Sequence, residues 1–561
     1  MGESISAHDY LTATLVLKNG AVYTMDDKDT VAAAVAVHDD KIIYVGNDME
    51  AERYIGKDTV VINLEGKMVA PGFVDGHIHA ASEQVAKMYC VYLADTEPTI
   101  DAYQTALREF AEKNPEAPII FGLNFQINAF DDGPTKEMLD QIVSDKPVVI
   151  ADTSYHAFWL NSQALKEIGV TKETKTPAGG RIVRDSHGEP TGYLIDCQEL
   201  WRPLEESLII TPDQYMEAFQ MLEKESMAKG ITAVNSLGVE LSGEVLWKTI
   251  SDYAKTGRMT LRTNYSLNMA PEDDVNEVIK TMRNGQQYVS DLLNVTVVKL
   301  FTDGVVEGKT AYLLDPYAPE TGLPADFRGE PIWEDDELKK AIAAIDKAGF
   351  QVHIHAIGDG AACQSLDAIE YAFNQNGKRE ARHTLTHLTI IHHDDILRMG
   401  EMGVIAAMQP IWFYKDPLFS EFDRQMLGEE RFWQMYAIRD MLDAGILMTG
   451  SSDSPTTPDN RPLAGIETAV TQCSPYEEER YDESYVRNPD QRVTVLEMLK
   501  VYTINGAKQM FMDKLIGSIE IGKKADMVIL EEDITHIRPQ GISETKVICT
   551  IFDGKIIYLN N

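Results

Sequence analysis

Apolar and polar positions alternate in the same pattern at the two ends of the chain. Residues 15–69 carry short apolar runs separated by turn residues, and the same pattern occurs near the end in "ADMVILEED" and "KVICTIFDGKIIYL". Such runs predict antiparallel strands. Because neither end has enough strands to bury a core alone, we expect residues 1–70 and 515–561 to form one composite β-sandwich.

Between these ends, residues 71–514 alternate apolar strand-like runs with amphipathic helices, which is typical of parallel βα units. Residues 334–349 illustrate one helix, with acidic residues at its start, apolar residues at helical spacing and a glycine at its end. Eight such units predict an α/β fold, a (β/α)8 TIM-like barrel. The eight candidate strands are residues 69–79, 231–236, 260–267, 293–301, 350–356, 383–388, 403–409 and 445–451.

The stretch of residues 80–229, between the first two candidate strands, is far longer than a βα connection requires. It contains the strand-like runs "PIIFGL" and "PVVIAD" and the Gly-rich stretch "AGGRIVRDSHGEPTGYLID". These features predict an inserted subdomain. Insertions on the C-terminal side of barrel strands lie over the active site, so this one is expected to act as a lid or as a wall that sets specificity.

Composition narrows the class of protein. Asp and Glu outnumber Lys and Arg by 89 to 51, and the net charge of −38 disfavours binding to nucleic acid or anionic membranes. Met1–Tyr10 has no basic run followed by an apolar one, and no apolar run reaches the length of about 18 residues that a membrane span needs. We therefore expect a cytoplasmic protein, for which a homodimer is a reasonable assembly. The five cysteines show no Cys-x-x-Cys spacing, which argues against disulfides and against a thiolate zinc site.

Histidines at positions i and i+2 mark the end of the first barrel strand. His77 and His79 in "APGFVDGHIHA" project to the same side of a strand, so their imidazoles can hold one metal ion. An isolated His-x-His pair is also consistent with two ordinary polar residues. Its position at the C-terminal end of a barrel strand, where active sites of this fold lie, favours the ligand role.

Two later strand ends repeat this arrangement. In "QVHIHA", His355 lies nearer the rim and is the ligand candidate, while His353 is expected to support the site from below or to belong to the core. In "RHTLTHL", His387 is at the rim. His383 lies about 13 Å deeper at roughly 3.3 Å per residue. His387 is therefore the ligand candidate of this strand.

A carboxylate and a lysine complete the set. The last strand ends in Ser-Ser-Asp-Ser-Pro, which puts Asp453 at the rim as a ligand and proton acceptor, or else as the N-cap of the next helix. Lys299 lies in "VTVVKLFTDG", in a lumen where an unpaired ammonium group would be costly. It could pair with Asp303, or react with carbon dioxide to give a carbamate that bridges two metal ions.

These motifs, in this order, make the chain resemble the amidohydrolase superfamily, and within it the amidohydrolase family 3 branch that includes the N-substituted formamide deformylases. The similarity runs almost from end to end. It is carried by "PGFVDGHIH", "SYHAFWLNSQAL", "DSHGEPTGYL", "VKLFTDG", "HAIGDGA", "THLTI", "GSSDSP", "YTINGAKQM" and "GSIEIGKKADMVIL".

The resemblance implies a barrel with a composite β-sandwich, one or two divalent metal ions, usually zinc, and hydrolysis of a carbon–nitrogen bond other than a peptide bond. Lys299 matches the lysine that is often carboxylated in members with two metal ions, which favours the carbamate. The residues that match the family's metal positions are His77, His79, His355, His387 and Asp453.

The reaction expected from this resemblance is hydrolysis of a small-molecule amide, such as an N-formyl, N-acyl or cyclic amide. The metal would activate water to hydroxide near neutral pH, and Asp453 would carry the proton from this water to the departing nitrogen. A deaminase and a lactone or ester hydrolase are alternatives with the same site. A catalytically silent regulatory protein should have lost ligands, whereas every ligand position is filled in this chain.

Five further residues are candidates for contact with the substrate: His156, Asp303, Gly304, Trp412 and Phe413. The histidine comes from the inserted region and could instead be structural, near Trp159. The Asp-Gly pair follows Lys299 at the rim and is expected to line the pocket. The two aromatic residues after the seventh strand predict an apolar wall or simple loop packing.

Overall fold

The computed structural model describes residues 11–130, 133–177, 180–205, 210–238, 243–416, 419–457, 459–476 and 482–560. Parts of three expected segments lie outside the described residues. They are residues 1–10 and 561 at the two ends of the predicted sandwich, and residues 178–179 at the start of the Gly-rich stretch.

The N-terminal strands form one whole sheet of a sandwich and part of the second. Four of them make the first sheet, in the order β5-β4-β1-β6, and the other three belong to the second. The elements are β1 Leu15–Lys18, β2 Ala21–Tyr23, β3 Val31–Ala32, β4 Ala34–His38, β5 Lys41–Gly46, the short helix α1 Asp48–Ala51, β6 Val60–Asn63 and β7 Met68–Pro71.

The first candidate strand, residues 69–79, is in fact two strands. β7 ends at Pro71 in the sandwich, and β8, Phe73–Ile78, begins the barrel. At the break, Gly72 donates its backbone N–H to the carbonyl of Asp526, at 2.9 Å. A Cβ atom on Gly72 would lie 2.2 Å from Oγ1 of Thr232. The chain crosses between the two units where only a residue without a side chain fits.

The inserted subdomain contains a six-stranded sheet of its own, with the order β13-β14-β12-β11-β10-β9. Alternate residues of β11 pack into two different apolar clusters, one with Phe158 and one with Trp159, so both faces of the sheet are covered. The elements are α2 Ser82–Tyr89, β9 Val91–Tyr92, α3 Ile100–Lys113, β10 Ile120–Phe125, α4 Lys136–Asp140, β11 Val148–Asp152, β12 Ala157–Leu160, α5 Ser162–Glu167, β13 Arg181–Arg184, β14 Pro190–Ile195 and α6 Gln198–Glu205.

Eight parallel strands form the barrel, in the order β8-β15-β16-β17-β18-β19-β20-β21. The seven candidate strands after the first each overlap one of these strands, and the predicted fold class is confirmed. The strands are β15 Ile231–Ser236, β16 Arg262–Asn268, β17 Leu293–Phe301, β18 Gln351–Ala356, β19 Thr384–His387, β20 Ile405–Met408 and β21 Met448–Gly450.

Helices surround the barrel. The helix predicted for residues 334–349 is α10, and Gly349 after it adopts a left-handed φ of 93°. None of the helices in the described ranges has the length and apolar composition needed to cross a membrane. The helices are α7 Pro212–Ala228, α8 Gly243–Ala254, α9 Val275–Gly285, α10 Asp335–Lys347, α11 Asp359–Asn376, α12 His393–Met402, α13 Phe419–Leu427, α14 Glu429–Gln434, α15 Ile438–Asp443, α16 Pro462–Thr471, α17 Val495–Val501 and α18 Ile504–Gln509.

The C-terminal strands complete the second sheet of the sandwich. They are β22 Met527–Leu530, β23 Val547–Phe552 and β24 Lys555–Leu559. The sheet has the order β24-β23-β22-β7-β2-β3, and β22 pairs antiparallel with β7. The two ends of the chain therefore share one sheet, as a composite sandwich requires.

Arg262 links the base of the barrel to this sandwich. It is the first residue of β16 and is fully buried. Its Nε and Nη2 atoms donate to the two carboxylate oxygens of Asp526, at 2.8 and 3.1 Å, and Nη2 also donates to Asp553, at 2.5 Å. The guanidinium group lies 4.6 Å from the ring centre of Phe552. One guanidinium group thus pairs with two carboxylates, one just before β22 and one just after β23.

We expect Arg262→Ala to lower the free energy of unfolding by about 3–5 kcal/mol, because the buried carboxylate of Asp526 loses its cation. Urea unfolding followed by tryptophan fluorescence measures this change. The control is Lys248→Ala, which removes an exposed ion pair with Asp252 and should leave the midpoint nearly unchanged. Equal midpoints for the two variants would contradict the assigned role of Arg262.

Candidate metal centre

The C-terminal ends of β8 and β21 bring His77, His79 and Asp453 together. The Nε2 atoms of the two histidines lie 3.1 and 3.4 Å from Oδ1 of Asp453. The side chain of His77 is 1% exposed and that of His79 is 29% exposed, so the centre is open to solvent on the side of His79. Asp453 does not cap a helix, since the next helix begins at Pro462.

The hydrogen bonds of Thr386 determine where His77 carries its proton. The hydroxyl of Thr386 donates to the carbonyl of Ala407, at 3.0 Å, so its oxygen accepts from Nδ1 of His77, at 2.9 Å. Nε2 of His353 lies 3.1 Å from the same Nδ1 and supports the ring from below. A neutral imidazole with its proton on Nδ1 has a lone pair on Nε2. His77 therefore directs a lone pair at Asp453.

Two further histidines are held by backbone carbonyl groups. Nδ1 of His79 lies 3.1 Å from the oxygen of Gly238, and Nε2 of His355 lies 3.1 Å from the oxygen of Gly304. A carbonyl oxygen only accepts, so each of these nitrogens carries the proton. The other ring nitrogen of each histidine keeps its lone pair.

His387 is oriented by a glutamine side chain. Its Nδ1 lies 2.9 Å from Oε1 of Gln409. The amide nitrogen of Gln409 donates to Oγ of Ser451, at 2.9 Å, which leaves Oε1 to face the imidazole. His383, the deeper histidine of this segment, instead lies 3.2 Å from a carboxylate oxygen of Asp346 and is not part of the centre.

Burial keeps the ligand candidates in the protonation states that a metal requires. It holds the pKa of His77 and His355 well below the ordinary value and lowers the pKa of His387 to about 4. Neutral imidazoles can offer a lone pair to a metal ion, so burial favours the ligand role of these three histidines.

These donors fit a divalent metal ion. Nitrogen lone pairs of two histidines face an oxygen of Asp453 at a distance that is favourable only with a cation or proton between them. One ligand atom each from His77, His387 and Asp453 lie within 4.8 Å of one another. Imidazoles that give their other N–H to a protein acceptor, together with a carboxylate, are a typical donor set for zinc. The ring of His355 lies 4.6 Å from that of His387.

Lys299 is buried among these groups. Burial lowers its pKa to about 7, and its Nζ lies 4.6 Å from the ring centre of Phe301. The ion pair with Asp303 that was the alternative does not form in the described part of the chain. The carboxylate of Asp303 instead accepts from the backbone N–H groups of Ile357 and Gly358, at 3.0 and 2.8 Å.

His156, from the inserted subdomain, lies beside the centre. Its ring is 5.0 Å from that of His355, and its Nδ1 is 2.5 Å from Oδ1 of Asp196. Burial alone would lower the pKa of His156, but the carboxylate of Asp196 raises it to about 9. Trp159, the expected structural neighbour, packs against Phe125 instead.

The remaining candidates for contact with the substrate differ in their burial. The ring of Trp412 is half-buried and stacks on His387, with the ring planes 12° apart. Three other candidates are buried. Asp303 braces the loop after β18, Gly304 packs against the inserted subdomain, and Phe413 packs against Tyr436.

Comparison with known proteins identifies the family of the chain. A model of the amidohydrolase family matches residues 60–558. The chain belongs to the amidohydrolase family. The family expected from the motifs is thereby confirmed, and the coarse assignment is a metal-dependent hydrolase of this superfamily.

Similar proteins match the chain of this amidohydrolase over nearly its whole length. It is 30% identical to Protein LONG AFTER FAR-RED 3 of Arabidopsis thaliana, over 98% of this chain and 92% of that protein. It is 25% identical to N-substituted formamide deformylase of Arthrobacter pascens, over 97% and 98%. The crystal structure of an uncharacterized metal-dependent hydrolase from Pyrococcus horikoshii OT3 shares the fold, with a TM-score of 0.72, 22% identity and coverage of 94% and 99%.

Three residues that support the centre of the amidohydrolase were not foreseen: Thr386, Gln409 and Asp75. The first two are polar residues in or beside buried strand ends, where apolar residues are the norm. Their polar character in such a place was the signal by which the sequence could have indicated them. The carboxylate of Asp75 accepts from the backbone N–H of His77 and from the hydroxyl of Ser452, at 3.2 and 2.6 Å. Asp75 lies two residues before His77, so its side chain projects to the same side of the strand.

Strained backbone conformations coincide with the ligand candidates. His387 has a φ of 73° and Asp453 a φ of 58°, both in the left-handed region. Residues other than glycine adopt this region at a cost of about 1–3 kcal/mol, and such residues cluster at functional sites. The contacts of the two side chains offset this cost.

We expect Thr386→Val to weaken zinc binding about 10- to 100-fold, because His77 loses the acceptor that orients it. Competition with a chromophoric chelator measures the affinity. Thr105→Val, on the exposed face of α3, is the matched control and should bind zinc like the unaltered protein. Unchanged affinity in Thr386→Val would contradict the assigned orientation of His77.

Proposed function

We propose that this amidohydrolase hydrolyses the carbon–nitrogen bond of a small non-peptide amide, with Asp453 as the group that moves the proton. The observation that carries the proposal is the position of Oδ1 of Asp453, 3.1 and 3.4 Å from two imidazole nitrogens that offer lone pairs. The N-substituted formamide deformylase of A. pascens, similar over almost the whole chain, supports the choice of an amide.

The chain would hold one or two divalent ions, with zinc as the first choice. The residues that would hold them are His77, His79, His355, His387 and Asp453. Such an ion lowers the pKa of water toward neutrality and polarises the carbonyl group of the substrate. The histidines supply neutral donors in fixed orientations. Their hydrogen-bond partners prevent rotation of the rings, so little reorganisation is required when the site is loaded.

Asp453 is suited to carry the proton because its carboxylate lies at the centre of the donor set. Oδ1 or Oδ2 accepts a proton from the attacking water as the oxygen–carbon bond forms. The same oxygen gives this proton to the nitrogen as the carbon–nitrogen bond breaks. One carboxylate thereby serves both halves of the reaction, and acid and amine are the products.

Lys299 completes the proposed centre as a carbamate. Its amine nitrogen would attack carbon dioxide, forming a nitrogen–carbon bond and releasing one proton. The resulting anion has two oxygens that can bridge two metal ions. Its burial beside Phe301, without an ion pair to Asp303, supports this assignment over a structural lysine.

His156 and Trp412 are the proposed contacts with the substrate. His156 approaches from the inserted subdomain to within 5.0 Å, ring to ring, of His355. A positively charged imidazole at this place would stabilise the negative charge that develops on the carbonyl oxygen. Trp412 offers an apolar surface beside His387 for the remainder of the substrate.

A panel of N-formyl, N-acyl and cyclic amides, with lactones and amino-purines for comparison, tests the reaction class. We expect release of amine and acid from at least one amide, measured by chromatography of the products. Release of ammonia from the purines, or turnover of lactones alone, would contradict the proposal. No turnover of any amide by the zinc-loaded protein would also contradict it.

On an amide that the panel identifies, Asp453→Asn should lower kcat about 10²- to 10⁴-fold, because an amide side chain cannot carry the proton. Metal content is measured on the same sample. Near-normal hydrolysis by Asp453→Asn with metal bound would rule out the proton-carrying role.

Lys299→Ala should reduce the number of metal ions per chain and lower the activity, because the bridging anion is lost. Elemental analysis of the purified protein measures the ratio, and native mass spectrometry of the unaltered protein should show one added carbon dioxide. Lys340→Ala, at an exposed position of α10, is the control. Unchanged metal content and activity in Lys299→Ala would remove Lys299 from the centre.

A further inference from the structure

Asp196 is placed opposite His156 by the pairing of two strands of the inserted subdomain. β12 and β14 run antiparallel with Ala157 opposite Ile195. The next pair continues the ladder, since the N–H of Asp196 donates to the carbonyl of His156, at 2.7 Å. Opposed residues of an antiparallel pair project to the same face, and here Oδ1 of Asp196 meets Nδ1 of His156 at 2.5 Å.

The second carboxylate oxygen of Asp196 lies against the barrel. A Cβ atom on Gly304 would be 2.3 Å from Oδ2 of Asp196, so the carboxylate packs directly on this glycine. The carbonyl group of the same glycine accepts the N–H of His355, at 3.1 Å. Oδ2 is buried and has no hydrogen-bond partner among the described residues. Asp196 therefore contacts both His156 and the peptide that orients His355.

The backbone of Asp196 is itself held in an uncommon conformation. Its φ of 47° is in the left-handed region. Aspartate adopts this region more readily than most residues, but it remains less favourable than extended backbone. The strand pairing and the two carboxylate contacts hold the residue there, which places the carboxylate against both His156 and Gly304.

We infer that Asp196 is a positioning residue that sets the ring of His156 beside the centre and packs against Gly304, whose carbonyl group orients His355. This role rests on the proposed function, in which His156 contacts the substrate and His355 binds a metal ion. It makes the inserted subdomain a part of the active site and not only a cover over it. Loss of the carboxylate should then disturb substrate contact and ligand geometry together.

Cobalt-loaded protein tests this role without the need for a substrate, because its visible absorption reports the arrangement of the ligands. We expect Asp196→Ala to alter this spectrum, and formate added to this variant to restore it. Asp196→Asn retains an oxygen that accepts from Nδ1 of His156 and should keep a spectrum close to that of the unaltered protein. Asp145→Ala, an exposed position of the same subdomain, is the matched control.

Gly304→Ala tests the second contact from the barrel side, because its methyl group would displace both the Asp196 carboxylate and the side chain of Thr310. It should alter the cobalt spectrum as Asp196→Ala does. With an amide substrate in hand, both variants should show kcat/KM at least about tenfold lower, whereas Asp196→Asn should retain most of the activity. Thermal unfolding of each variant establishes that the chain is folded.

An unaltered cobalt spectrum in a folded Asp196→Ala variant would overturn the inference. If this variant does not fold, an unaltered spectrum in Gly304→Ala overturns it instead. A lower thermal midpoint with an unaltered spectrum would assign Asp196 to subdomain stability alone and would also overturn it. If the unaltered protein hydrolyses no amide, the proposed function fails, and the cobalt spectra still decide whether Asp196 orients the centre.

Discussion

Two backbone hydrogen bonds at the open end of the barrel hold the centre together. The N–H of Asp453 donates to the carbonyl of His77, at 2.8 Å, and the N–H of His79 donates to the carbonyl of Ser454, at 2.9 Å. They join the segment after the last strand to the first strand, so one seam closes the barrel and sets a carboxylate opposite two imidazoles. Asp75 reinforces this seam, because it accepts hydrogen bonds from both sides. The hydrogen bonds that close the barrel therefore also bring the ligand candidates together.

Around this seam, each histidine is oriented by a part of the barrel other than its own strand. Three of the acceptors lie at the end of a neighbouring strand, and the fourth reaches His77 across the lumen from β19. Burial favours the neutral form of His77, His355 and His387, and the acceptors decide which nitrogen of each ring offers its lone pair. The donor geometry therefore depends on strand register throughout the barrel. The acceptors are Gly238, Gly304, Thr386 and Gln409.

The ligand candidates could be predicted from the sequence because each depends on a local rule. A polar residue that ends an apolar run, and whose side chain alternates onto the lumen side of the strand, can be identified from a few neighbouring residues. The acceptors Thr386 and Gln409 were missed because their partners depend on register between strands. The contact of Asp196 with His156 joins strand ends that are far apart in sequence. At Gly72 the chain changes from one sheet to another within one continuous apolar run, which the hydrophobic pattern does not reveal. The burial of Phe413 depends on how its loop folds.

The order of the segments along the chain has a consequence for biosynthesis. The first strand of the barrel and the two histidines at its end are synthesised before the segments that they contact. Its neighbours in the finished protein come much later: Asp453 from the last strand end, Tyr502, whose carbonyl accepts from Val74 at 2.7 Å, and β22, which pairs with β7. A chain that lacks these later segments thus displays the His-x-His motif without the carboxylate and the strand contacts that complete the candidate centre.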